Sequence, residues 1–103
     1  MLTAKGLEEP AQRLPAGVVS YKRTAEFTED TIPAGLLKAH STKEGIWGLI
    51  QVIRGRLLYR VVDKRRVNHE MDLSSDVPGV VEPGILHELE AAGPVRFFVE
   101  FYC

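Results

Sequence analysis

Two histidines and one glutamate, His40, His87 and Glu100, are the side chains of this 103-residue chain best suited to chemistry. Imidazole is a common ligand for zinc, iron, nickel and manganese, and two imidazoles with one carboxylate leave coordination positions open for water or substrate. Glu100 stands beside Phe98 and Tyr102 in an otherwise apolar run, where an unpaired buried charge is costly unless a metal or a cation offsets it. Glu88 and Glu90 fall on the opposite face from His87 in a regular strand and are weaker candidates. The plain alternative is that the two histidines are partly buried residues bonded to the backbone. His69, in a polar stretch, reads as structural or exposed, Trp47 as core, and Tyr59 and Tyr102 as hydroxyls at a pocket or a rim.

These residues need elements to bring them together. Residues 34–40 read as a short strand ending at His40, and residues 41–45 as the loop after it. Residues 46–53 and 57–62 are β-branched, aromatic and aliphatic, which suits strands. They are expected to form a hairpin turning at Gly55, since glycine takes the positive φ that tight turns demand. Ile46, Gly48, Ile50 and Val52 share one face of its first arm, and Trp47, Leu49, Gln51 and Ile53 the other; both are largely apolar, so this strand is expected to be buried on both sides. Residues 66–73 read as a polar strand near an edge, 80–82 as a short strand, and 87–91 as a strand interrupted at Ala92, Gly93 and Pro94. The last run, 95–102, puts Phe97, Val99 and Phe101 on one face and Arg96, Phe98, Glu100 and Tyr102 on the other. Residues 18–23 read as a first strand, and the acids Glu26, Glu29 and Asp30 as solvent-facing. Residues 1–14 are expected to be an arm and 15–103 one domain. About eight or nine short strands, no helix, and turn signals every 8 to 12 residues predict an all-β sandwich or barrel.

Composition narrows the function classes. Thirteen basic against fourteen acidic residues leave a net charge of −1, so nucleic acid is not the expected partner. Lys64, Arg65 and Arg66 read as a solvated hairpin tip. The single cysteine, Cys103, excludes an intramolecular disulfide and a multi-cysteine metal site and fits a reducing, cytoplasmic setting. No apolar run approaches the roughly 20 residues that span a bilayer, and no signal peptide is visible, so a membrane is not expected either. Phosphate-cradling loops, dinucleotide fingerprints and nucleophile elbows are absent from the sequence.

The arrangement resembles the cupin superfamily, in which one short motif from each half of a small β-barrel brings metal ligands to a common centre. Gly84-Ile-Leu-His87 matches part of the second motif, with proline shifted next to the glycine. In the first motif His40-Ser-Thr42 has threonine where the second histidine belongs, and Gly48 lies near the place of the glutamate. Pro15-Ala-Gly-Val-Val-Ser-Tyr-Lys-Arg23, His40-Ser-Thr-Lys-Glu-Gly-Ile-Trp-Gly48, Val52-Ile-Arg-Gly-Arg-Leu57, Val81-Glu-Pro-Gly-Ile-Leu-His-Glu-Leu-Glu90 and Phe98-Val-Glu-Phe-Tyr-Cys103 look like the TehB/YeaR-like family of small cupin-like domains.

That resemblance implies a cupin-like jelly-roll barrel with a pocket at His40 and His87 and a link to toxic-oxyanion (tellurite) or nitrosative stress. It favours a divalent transition metal on His40, His87 and Glu100, with Thr42, Lys43, Tyr59 and Arg96 holding a small anion or organic acid. A metal-free sensor or binding module is the alternative. Cupin-like barrels pair through outer sheet faces, which with the two-faced apolar strands leads to an expected homodimer.

Overall fold

The computed structural model describes residues 7–103. Six strands form one antiparallel sheet that wraps around a single core: β1 (Ser20–Arg23), β2 (Phe27–Thr28), β3 (Trp47–Val61), β4 (His69–Leu73), β5 (Gly79–Val81) and β6 (His87–Tyr102). The chain is thus all-β, as its turn spacing predicts, and has the form of a small β-sandwich.

The strand number is lower than expected because two anticipated turns are not turns. β3 runs unbroken through Gly55 and β6 through Gly93, and the two pair from Trp47 opposite Tyr102 to Val61 opposite His87. The register slips between Val52 and Arg54 and again between Gly55 and Leu57. Gly55 does use a positive φ of 83°, but for this irregularity inside a strand. A Cβ there would lie 2.1 Å from the Pro94 carbonyl oxygen, so only glycine lets the two long strands stay together. Sequence alternation cannot tell a hairpin turn from a bulge, because both call for glycine between apolar runs.

The shorter strands share the long ones as templates. β6 carries β1 and β2 along its other edge, while β3 carries β5 beside Gly48–Ile50 and β4 beside Leu57–Val61. β4, the polar strand, ends the strand order as expected. Phe97, Leu57 and Leu73 are fully buried, and Phe27 packs its ring 5.6 Å from that of Phe97. Each such side chain contributes roughly 2 kcal/mol by leaving water. The second face of β3 differs from expectation: Trp47, Leu49 and Gln51 are only half-buried and Ile53 is exposed, so β3 is deeply buried on one side alone.

Residues 34–40 also depart from the expected strand. Ala34–Leu37 is a 3₁₀ helix, started by Pro33 at φ −56° and closed by the Leu36 N–H donating to the Pro33 carbonyl. Proline pre-sets that turn, and the apolar run is too short to impose a strand period. Of the arm expected over residues 1–14, residues 1–6 lie outside the described residues. Further on, the Val67 N–H donates to the Glu8 carbonyl, Pro10 is buried, and the Ala11 N–H donates to the Glu82 carboxylate. Among the described residues no helix is long and apolar enough to cross a membrane.

Candidate functional site

β6 begins at His87, and its first residue is met from the side by His40. The two form an isolated antiparallel bridge in which each N–H donates to the other's carbonyl, at 3.0 and 2.8 Å. Side chains directly opposite in such a pair share a face, and here the ring centroids are 4.1 Å apart. The fold therefore brings the two sequence-predicted histidines together.

Each ring is anchored in the same way. Nδ1 of His40 lies 3.1 Å from the Lys38 carbonyl oxygen, and Nδ1 of His87 lies 3.1 Å from that of Ile85. A carbonyl only accepts, so both imidazoles carry a proton on Nδ1, and a neutral ring then keeps a bare lone pair on Nε2. Neither Nε2 has a hydrogen-bond partner among the described residues. Burial, and then the charge of His40, pushes His87 down to about 4, so this ring is neutral at physiological pH. Tyr59 packs edge-on against His87 and spends its hydroxyl on the Val80 carbonyl at 2.8 Å.

The segment leading to His87 is held by two ion pairs. Asp63, almost fully buried, accepts from the Arg65 guanidinium and from the Leu86 N–H at 2.9 Å, and the Arg65 guanidinium also donates to the Gly84 carbonyl. Arg65 holds the Asp63 carboxyl far below its usual range despite the opposing effect of burial. Arg66 makes a two-pronged pair with Glu82. The basic stretch is an exposed turn at Lys64 and Arg65, as expected, but its two arginines also clasp the turn that delivers His87, because Glu82 and Gly84, distant in sequence, fold back onto it.

A cavity of about 360 Å³ opens beside the histidines. Its inner wall is apolar, built from Ile50, Val81, Leu89, Val99 and Phe101. Lys22, Lys43, Ser41 and Thr24 line it as well, and among the described residues no carboxylate does so. Lys22 and its neighbour Tyr21 both reach this cavity because β1 bulges against β6 between Ser20 and Lys22, which breaks the alternation of side chains. Sequence alternation gives no sign of that bulge, so Tyr21, Lys22 and Thr24 are not found by it.

The other predicted site residues divide. Thr42 and Lys43 line the cavity, though the Thr42 hydroxyl is committed to the Ile46 carbonyl at 2.7 Å. Tyr59 lies in the core beneath His87, not on the cavity wall. Arg96 sits on the far face of β6, 3.6 Å from Glu26. Glu100 is on that far face too, bonded to Gln51 and Ser20, because its neighbours Val99 and Phe101 are the ones turned inward. Glu29 is exposed as expected and also accepts the Val95 N–H at 3.0 Å.

The expected three-ligand set is therefore not assembled. Among the described residues no group of three His, Cys, Asp or Glu side chains is placed to hold a metal ion. Gly48 lines the cavity near the position where the resemblance puts a glutamate, and a Cβ on it would already come within 3.1 Å of the Val81 Cβ. Two imidazoles supply two donors, whereas a catalytic zinc ordinarily takes about three protein ligands.

Comparison with known proteins gives one family. The TehB-like domain model matches residues 22–99. A Haemophilus influenzae protein described as a probable S-adenosyl-L-methionine-dependent methyltransferase, TehB, is 31% identical over 90 residues, covering 84% of this chain and 31% of that protein. The crystal structure of TehB from Haemophilus influenzae superposes with a TM-score of 0.75 at 27% identity, over 84% of this chain and 31% of that one. A protein of Escherichia coli K12 superposes with a TM-score of 0.78 over 88% of this chain and 95% of its own, and at 20% identity it shows the fold alone. The chain spans about a third of the length of the curated relatives it matches.

Proposed function

We propose, from the premise that this chain belongs to the TehB-like domain family, that it is a cupin-like binding domain capturing a small anion in the cavity beside His40 and His87. One observation carries this: the cavity is lined by Lys22 and Lys43 and, among the described residues, by no carboxylate. An anion entering it meets attraction and no like charge. An organic acid and an oxyanion such as tellurite both belong to this class. Methyl transfer, which the name of the Haemophilus influenzae relative carries, is not part of the proposal. The experiment is a thermal-shift screen of small anions against the wild type and the double variant Lys22→Gln, Lys43→Gln. A stabilising anion whose effect disappears in the double variant supports capture by these lysines; an effect that persists in it rejects that role.

A second function is favoured by the anchoring of both rings through Nδ1, which fixes ligand orientation as metal-binding histidines require. His40 and His87 would hold a divalent transition metal, such as zinc, iron, nickel or manganese, by their two Nε2 atoms, and the metal would supply Lewis acidity. Elemental analysis of the untagged chain and of His87→Ala decides it. Near-stoichiometric metal that vanishes in the variant supports it, and its absence from both after reconstitution rejects it.

A further inference from the structure

Anion capture leaves open what else the ligand carries, and the cavity's polar atoms are unevenly placed. The lysines supply positive charge. Among the hydroxyls, Thr42 donates to the Ile46 carbonyl and Thr24 donates to the Ala25 carbonyl while accepting the Val99 N–H, so both are already engaged. The inner wall of Ile50, Val81, Leu89, Val99 and Phe101 offers nothing to a polar atom. The hydroxyls of Ser41 and Tyr21 remain, but an inorganic oxyanion lodged against that wall would turn oxygens toward it that find no donor, and burying unsatisfied polar atoms is costly. An apolar body instead gains by displacing water from that wall.

The histidines add a third requirement. With Nδ1 of each ring donating to a carbonyl, the two Nε2 atoms are acceptors in the neutral rings. They repel an anion's oxygens and call for a donor. A hydroxyl satisfies them, whereas an ammonium would meet the two lysines.

Resting on the anion-binding function above, we infer that the ligand is a hydroxylated monocarboxylate with a compact apolar body, its carboxylate at Lys22 and Lys43 and its hydroxyl donating to the His40–His87 pair. A branched or aromatic 2-hydroxy acid has this chemistry, and a cavity of about 360 Å³ is within the usual range for a small-molecule site.

Mandelate and four relatives, each changing one feature, test this by calorimetric titration of chelator-treated protein. Phenylacetate lacks the hydroxyl, mandelamide lacks the charge, lactate lacks the ring, and tellurite lacks the organic body altogether. Mandelate is expected to bind tightest, with phenylacetate weaker by roughly fivefold for one lost hydrogen bond. Mandelamide is expected to be weaker by about tenfold or more for a lost charge-assisted contact, and lactate by a larger factor for the lost apolar area. The exposed substitutions Lys22→Gln and Lys43→Gln should weaken mandelate and leave mandelamide unchanged. Phenylacetate binding as tightly as mandelate would remove the histidines' role and overturn the inference. Tellurite binding as tightly as mandelate, in a lysine-dependent way, would overturn it while leaving anion capture standing. Equal binding of mandelate and mandelamide, or no binding by any of the five, would overturn both.

Discussion

His40 and His87 exchange both backbone hydrogen bonds and hold their rings 4.1 Å apart at a tilt of 54°, although one follows a 3₁₀ turn and the other opens the last strand. Neither residue can move without the other. The pair ties the loop over the cavity to β6.

That pair makes stability depend on pH. In metal-free protein His87 is held neutral, pushed down to about 4 by burial and then by His40, against an ordinary value of 6.5. The unfolded chain takes up this proton at higher pH than the folded one. The contribution is therefore complete above pH 6.5 and lost as pH falls toward 4, to an extent of about 3 kcal/mol. Urea midpoints across that window should fall for the wild type and stay nearly flat for His87→Phe.

Glu100→Gln should leave the binding of small anions, and any metal content, unchanged within about twofold, because its carboxylate faces Gln51 and Ser20 across the sheet from the cavity. A change as large as that from His87→Ala would show that the two faces communicate. Glu100 also shows where sequence reading stops. The alternation along β6 correctly divides Phe97, Val99 and Phe101 from Arg96, Phe98, Glu100 and Tyr102. What it cannot tell is which of the two sets faces the histidines. The His40–His87 meeting is weakly marked by spacing and legible through the family resemblance, which puts one motif histidine in each half; Lys22 is not, because a bulge has no signature in residue types. The clasp of Asp63 and Arg65 is equally hidden, since a charge cluster reads as solvated until its long-range partners are known.

Gly55→Ala should destabilise the domain by about 3 kcal/mol or more, since it adds a Cβ 2.1 Å from the Pro94 carbonyl oxygen at a φ of 83°. Gly45→Ala is the control. Its φ is also positive but nothing lies within 4 Å, so its cost should be near 1 kcal/mol. Chemical denaturation of the two variants checks the difference.

Asp63→Ala strands the Leu86 N–H and frees Arg65 from the turn before His87. Arg65 is largely exposed and regains water, so the cost is mainly that of the stranded N–H, about 2 kcal/mol. Because the turn carries His87, the variant should also lose affinity for small anions under conditions where it remains folded. Unfolding and titration on the same preparation separate the two effects.

The two long strands have a consequence for how the chain is made. Every residue that β3 pairs with along β6 lies between His87 and Tyr102, so on a ribosome the fifteen-residue β3 emerges long before its main partner exists. Pairing so distant in sequence forms slowly, and an unpaired apolar strand is an invitation to intermolecular association. A nascent chain stalled before β6 should therefore recruit chaperones, while one extended through β6 closes β3 and assembles the histidine pair in a single late event.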